Sequence, residues 1–261
     1  MKPITLTTDF GLDDWFVGTM KGVLQRTAPN ASVIDVTHGI APGDIRAGAF
    51  ALAAAYRYFP AGTIHVAVVD PGVGSERAGV VIETENYFFV GPDNGLFSFA
   101  LRGERLRSIH LLENPQYQLA EASRTFHGRD VFAPAAAHLS RGVPVGQFGP
   151  RIHDLVQLDW PEPVATKSGL RGEVVHFDHF GNAITNLPAS RVLASGAATQ
   201  VKVGTKSVPI HDCYAAVKKG KPVAVIGSSG LLEIAINGGN AAKALKLKCG
   251  SKVLLGKSAP H

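Results

Sequence analysis

The sequence predicts an α/β chain of two domains: an N-terminal, mainly parallel sheet flanked by helices, and a smaller C-terminal β-barrel. Three observations carry that expectation. Up to about residue 90, short β-branched apolar runs alternate with helical-period segments in a β-α-β-α-β order, which calls for right-handed crossovers with helices on both faces. After Gly149-Pro150 the composition shifts to a polar, Pro-rich stretch running from Asp159 to Gly169, the signature of a linker. Beyond it come six short apolar runs punctuated by glycine, at the close spacing of a small barrel or sandwich. The expected boundaries are 1–160 for the first domain, 161–169 for the linker and 170–261 for the second domain.

A strand over residues 4–8 opens the chain, and Asp9-Phe10-Gly11-Leu12-Asp13-Asp14 is the loop that leaves it. Phe16, Val17, Met20, Val23 and Leu24 recur at helical spacing, so a helix follows, with Asp13 or Asp14 as its N-cap. Residues 32–36 form the second strand, Thr37 to Asp44 a long loop, and 45–59 an Ala-rich helix. His38 in that loop has a loop-ordering hydrogen bond as its expected role. The third strand, 63–69, ends at Asp70. Strands at 80–84 and 87–90 flank Glu85-Asn86 as a hairpin, and Gly91-Pro92-Asp93-Asn94-Gly95 leads into a short helix through Phe97, Phe99 and Leu101. A further helix spans 131–139, with Pro134 tolerated near its first turn and His138 expected to pack. The later apolar runs lie at 170–177, 183–186, 200–203, 223–226, 231–236 and 252–255.

Composition narrows the function. The 261 residues are 45% hydrophobic and 18% charged, which excludes disorder, and a net charge of +5 is scattered, densest at Lys218-Lys219-Gly220-Lys221. That cluster reads as a solvated turn, so no nucleic-acid partner is expected. No apolar run reaches the ~18 residues of a membrane span. The start lacks a cleavable apolar segment and the two cysteines, Cys213 and Cys249, lie far apart without metal-like spacing. A cytoplasmic location is expected, with no membrane partner.

Chemistry concentrates at strand ends. Asp70 falls where the third strand stops, Pro71 blocks continuation into the sheet, and Gly72 and Gly74 let the backbone turn close to a ligand, with Arg77 in the same loop. Open α/β sheets place ligands there; the alternative is a strand exit closed by a surface ion pair. Asp9 occupies the same position after the first strand, where an acidic side chain suits a ribose diol; without Gly-x-Gly-x-x-Gly a dinucleotide is not expected. His127, before a helix and next to Gly128, suits proton handling near neutral pH. In the second domain, 178–186 and 227–240 carry more acids, amides and hydroxyls than their turns require.

Thr8-Asp9-Phe10-Gly11, Val69-Asp70-Pro71-Gly72-Val73-Gly74 with Arg77, Thr125-Phe126-His127-Gly128-Arg129-Asp130, Phe180-Gly181-Asn182-Ala183-Ile184-Thr185-Asn186 and the run from Ser228 to Asn240 span nearly the whole chain. Together they resemble the S-adenosyl-L-methionine (SAM) hydrolases, or SAM hydroxide adenosyltransferases, relatives of the fluorinating and chlorinating SAM enzymes. The resemblance implies hydrolysis at C5′ to adenosine and methionine without a cofactor or metal, and a homotrimer whose sites join one subunit's N-domain to its neighbour's C-domain. It implies that Asp70, Arg77 and His127 activate water and that Asp9 holds the ribose diol. Asp178, Ser228 with Ser229, and Glu233 match contacts to the methionine end; Asn182 and the backbone of Ile236, Asn237 and Gly238 match contacts to adenine. The fluorinase has an aromatic in place of Asp70, a halide-binding serine in place of Gly128, and a tryptophan over the ribose where this chain has Gly43.

The chemistry suits these residues. Methionine leaves a sulfonium as a neutral thioether and needs no general acid, so the protein has only to align a water or hydroxide with the C5′–S bond. Arg77 cannot act as a base; either Asp70 or His127 can take the proton, and the sequence leaves that choice open. Three other readings remain: a SAM or adenosine sensor without catalysis, a halide adenosyltransferase, and a metal-dependent hydrolase using Asp9, Asp13, Asp14, Asp70 and His127.

Overall fold

The computed structural model describes residues 1–194 and 199–256, and falls into two compact units, Met1–Asp159 and Trp160–His261. Residues 257–261 of the expected second domain lie outside the described residues.

In the first unit the strands are β1 (Ile4–Thr8), β2 (Val33–Thr37), β3 (Ile64–Val68), β4 (Gly79–Thr84), β5 (Phe88–Pro92), β6 (Leu106–Leu111) and β7 (Arg151–Ile152), in the order β2-β1-β3-β5-β4-β6-β7. Helices α1 (Phe16–Thr27), α2 (Ile45–Ala55), α3 (Ser98–Leu101) and α4 (Ala133–Ser140) accompany them. The half from β2 to β5 is parallel, as expected, while β5, β4, β6 and β7 pair antiparallel, so the sheet as a whole is mixed. The reason is the β4–β5 hairpin. The chain leaves β3, skips one strand position to build β4, and turns back so that β5 fills the gap beside β3, with Ile64 opposite Phe88. The first crossover goes from β1 to one side and the second returns to its other side. Chain direction across the sheet therefore reverses between β1 and β3, where ligands of open α/β sheets bind. The core beneath is continuous, from Ile4, Leu6 and Met20 to Val66, Phe132 and Ala136.

One local expectation needs correction. Neither Asp13 nor Asp14 caps α1: the helix starts at Phe16 and Trp15 holds the N-cap position without a side-chain bond. Asp44 does cap α2, its Oδ1 accepting from Ala47 N at 2.9 Å. The strand β6 was not foreseen, because Arg107 and Ser108 interrupt its apolar pattern and only Ile109 is buried.

His65 on β3 has no exposed surface, bonds Thr5 Oγ1 through Nδ1 at 2.8 Å, and is ringed by Tyr56, Phe59, Tyr87 and Phe89. Burial lowers its pKa from 6.5 to about 4. A depressed imidazole contributes stability that is complete above the unfolded pKa and is lost as pH falls through the folded one. Between pH 6.5 and 4 the wild type should lose about 2–3 kcal/mol more than His65→Phe, read by urea unfolding. Parallel loss in both proteins would refute this.

In the second unit β8 (Val164–Thr166), β9 (Gly169–Phe177), β10 (Ala183–Pro188), β11 (Gln200–Val203), β12 (Lys206–Pro209), β13 (Pro222–Ile226), β14 (Leu231–Ile236) and β15 (Lys252–Gly256) pair antiparallel in the order β12-β11-β15-β9-β10-β14-β13, with β8 on β9. A bridge between Ile210 and Ala224 brings the two ends of that path together, giving the barrel-like closure expected of the second domain. Short helices α5 (Ala189–Ala194) and α6 (Ala241–Ala244) complete it. The stretch 161–169, expected as a linker, contains β8: Pro161 and Pro163 precede this three-residue strand, and Lys167-Ser168 turns it back onto β9. The basic cluster is a turn, closed by Lys221 N donating to Lys218 O at 3.0 Å.

Candidate active site

Adjacent parallel strands β1 and β3 end side by side, and each delivers a carboxylate just beyond its last residue: Asp9 after β1, Asp70 after β3. Asp70 and Arg77 form a two-pronged pair, Nε to Oδ1 at 3.1 Å and Nη2 to Oδ2 at 2.5 Å. Their side chains are only 4% and 9% exposed, which removes the surface-ion-pair reading. The loop between them packs on the segment carrying His127. Gly74 has φ +77°, and a Cβ there would stand 2.2 Å from Arg124 O, so a glycine is required.

His127 precedes a π-helical turn, Gly128–Phe132, that runs into α4; such turns are frequent at functional sites. The turn is braced by Asp130, wholly buried, which accepts from Arg129 Nε at 2.6 Å, Arg129 Nη2 at 3.0 Å and Ser123 N at 2.8 Å. Arg77 Nη2 lies 3.0 Å from His127 Nδ1. A guanidinium only donates, so Nδ1 accepts and the neutral ring carries its proton on Nε2. Burial, and then the charge of Arg77, hold the imidazole below its ordinary pKa against the opposing pull of Asp70 and Asp130. Arg77 also donates from Nη1 to Ala78 O at 2.9 Å, so these bonds engage four of its five N–H groups.

Asp9 accepts from Gly43 N through Oδ2 at 2.8 Å. Its Oδ1 and a second lone pair on Oδ2 face no described donor. His38 has the loop-ordering role expected of it. It bonds Thr8 Oγ1 through Nδ1 at 2.8 Å, accepts Gly11 N on its carbonyl at 2.8 Å, and sets Nε2 3.1 Å from Asp35.

Both carboxylates open on one cavity of about 530 Å³, lined by Asp9, Phe10, Phe16, Asp70, Phe126 and His127 among others. That size is ordinary for a small-molecule site. Phe10, Phe16 and Phe126 meet with centroids 5.1–5.8 Å apart and form an aromatic wall. In the sequence Phe16 shows only the helical spacing it shares with Val17, Met20, Val23 and Leu24, which gives no sign of this role. Pro42 and Pro71 line the cavity beside Gly43, whose Cβ position is 3.7 Å from Pro71 Cβ. A Cβ on Gly128 would come within 3.2 Å of Phe126 and 3.3 Å of Met20 Sδ.

The second unit gathers its own polar set. The turn after β9 holds Asp178, which accepts Asn182 N at 2.8 Å and Asn182 Nδ2 at 2.9 Å; Phe180 at its tip is 71% exposed. Glu233, on β14 and buried, accepts from Tyr214 OH at 2.7 Å. Burial raises the pKa of both, and for both the Asp178 charge adds to the rise. Tyr214 had no sequence signal. The register Ala183 opposite Ile234 sets Asn182 near the end of β14 where Ile236, Asn237 and Gly238 lie, and Asn237 Nδ2 donates to Val217 O at 2.7 Å. Ser228 and Ser229 are exposed at the β13–β14 tip, at the other end of β14, with Glu233 between the two groups. Among the described residues no group of three or more His, Cys, Asp or Glu side chains is placed to hold a metal ion. No helix there is long and apolar enough to cross a membrane.

A buried acid–guanidinium–imidazole set at a sheet's switch point, opening on an aromatic-walled cavity, belongs to an α/β enzyme of small molecules. The sequence narrows the class further. Residues 4–149 match the SAM hydroxide adenosyltransferase N-terminal domain and 172–254 the C-terminal domain of the same family, to which the chain belongs. It is 44% identical to the (R)-S-adenosyl-L-methionine hydrolase of Thermus thermophilus over 98% of this chain and 100% of that one. The hydrolase of that name from Salinispora arenicola is 41% identical, over 96% of each. A crystal structure of an uncharacterized conserved protein from Thermotoga maritima superposes with a TM-score of 0.91 at 35% identity, over 96% of this chain and 98% of that one.

Proposed function

We propose that this chain hydrolyses SAM at C5′, and that Asp70, Arg77 and His127 activate the water. The observation that carries the proposal is the buried pair of Asp70 and Arg77 with His127 3.0 Å from the same guanidinium. With Nδ1 occupied by Arg77, His127 presents Nε2–H as a donor to the water oxygen, and an Asp70 lone pair accepts one of the water's protons. The oxygen attacks C5′, the C5′–S pair leaves with sulfur as neutral methionine, and the surplus proton passes to Asp70 and on to solvent. Attack on a cation disperses charge, and the aromatic wall keeps that step out of bulk water. Asp9 takes the ribose diol. Asp178, Ser228, Ser229 and Glu233 take the methionine end, and Asn182 with Ile236, Asn237 and Gly238 the adenine. The names of the curated relatives support the (R) sulfonium epimer as substrate. The sulfonium is itself the activated group, so no cofactor enters the reaction.

Each unit carries only part of this contact set, which, with the family resemblance, supports a homotrimer of heterologous contacts in which neighbouring subunits complete each site. A cytoplasmic setting, where SAM is made, suits the reaction.

The test is incubation of the purified chain, its sedimentation measured, with each SAM epimer in H₂¹⁸O and a chelator. Adenosine bearing the label, methionine, and a trimer are expected. Retained SAM would point to a sensor. Methylthioadenosine, or chloroadenosine formed faster than adenosine, would overturn hydrolysis; loss of activity to the chelator would revive a metal site. A fully active monomer would overturn the trimer.

A further inference from the structure

The loop Gly91-Pro92-Asp93-Asn94-Gly95 does not line the cavity, yet it grips both ends of the segment that does the proposed chemistry. Asn94 Nδ2 donates to Val69 O at 2.8 Å, the carbonyl immediately before Asp70. Asp93 N donates to Ala78 O at 2.9 Å, the carbonyl immediately after Arg77, and Arg77 Nη1 bonds that same oxygen at 2.9 Å. Sheet topology explains why a side chain is used at the first of these points. The β3–β5 ladder ends at Val66 opposite Val90, and beyond it β5 runs on paired with β4 alone, as far as Pro92 opposite Gly79. Val69 is fully buried, so its carbonyl needs a partner that the ladder no longer supplies. The Asn94 carboxamide is that partner, and its Oδ1 accepts Leu96 N at 3.2 Å, which fixes the amide's orientation.

We propose that Asn94 is a positioning residue of the active site: it replaces the missing ladder bond at Val69 and thereby sets the angle at which Asp70 meets Arg77 and the attacking water. This rests on the hydrolase reading. Hydrogen-bond reach and alignment at a reacting centre are sensitive to shifts of an ångström or less, so a small release of the Val69–Asp70 peptide acts on turnover more than on ligand affinity.

Two variants separate the bonds. Asn94→Ser keeps a hydroxyl able to accept Leu96 N but is too short to reach Val69 O. Asn94→Asp keeps the shape and sets an oxygen against that carbonyl. Asn114 is the control, because it makes the same pair of bonds elsewhere in the unit, Nδ2 to Gln147 O at 2.8 Å and Oδ1 from Gln116 N at 3.0 Å. Steady-state kinetics with SAM, adenosine titration by calorimetry and thermal unfolding are read on all four proteins. About tenfold or greater loss of kcat is expected in both Asn94 variants, with adenosine affinity within about twofold of wild type. Asn114→Ser should keep kcat. Wild-type kcat in either folded Asn94 variant overturns the proposal, as does a matched fall in kcat and adenosine affinity, which would mark a purely structural bond. A wild type that forms no adenosine overturns the hydrolase reading instead.

Discussion

Asp70→Asn is expected to lower kcat for SAM hydrolysis by about 10²-fold or more while adenosine affinity stays within about twofold. The substitution keeps shape and volume, so the cavity stays intact. It removes the charge that two Arg77 donors share, and one of those donors then faces an amide N–H₂ instead of an oxygen. Three consequences converge on turnover. The attacking water loses its charged acceptor, the guanidinium loses one of the two bonds that orient it, and its hold on the His127 Nδ1 lone pair loosens with that orientation. Arg77 is also left as a buried cation without its counter-charge, an arrangement whose cost in other proteins is about 3–5 kcal/mol. Thermal unfolding should therefore fall alongside kcat, and kinetics must be taken well below the new transition. Full turnover in a folded variant would show that Asp70 does not activate water. Loss of adenosine binding in proportion to kcat would show that it binds the nucleoside instead.

Much of this site was legible in the sequence because its chemistry sits at punctuation marks. Asp9 and Asp70 each follow a short apolar strand, and a carboxylate there needs no tertiary information to be singled out. What the strand pattern lacked was adjacency: β1 and β3 become neighbours only because β2 and β5 take the outer positions. The burial of the Asp70–Arg77 pair depends on loops some 50 residues away, through Gly74 against Arg124, and a local reading gave equal room to a surface pair. The aromatic wall was hidden for a different reason. Phe10, Phe16 and Phe126 look like core residues in any apolar periodicity, and packing in space turns their faces to a cavity. Tyr214 and Asn94 left no pattern at all, since the bonds that tie them to Glu233 and Val69 reach partners at least 19 residues distant. In the second unit the short strands were visible, but β8 hid behind two prolines, and β12, which closes the barrel path, is too polar to stand out.

The second large effect separates binding from chemistry at the neighbouring carboxylate. Asp9→Ala would remove the proposed diol acceptor, but it would also release Gly43 N, whose 2.8 Å bond shapes the cavity rim. Asp9→Asn is the cleaner change. Its amide oxygen can keep the Gly43 bond, which turns the N–H₂ toward the ribose and replaces an acceptor with a donor. A hydrogen bond to a charged acceptor contributes about 1.5–3 kcal/mol, so KM for SAM and Kd for adenosine should each rise by roughly 10–150-fold. The diol is held equally in the ground and transition states, so kcat should change by no more than a few-fold. 2′-Deoxyadenosine gives a second reading: the wild type should bind it much more weakly than adenosine, whereas Asp9→Asn should discriminate little between them. If Asp9→Asn lowers kcat and leaves adenosine affinity intact, the roles of the two strand-end carboxylates are reversed, and water is activated from β1 rather than β3.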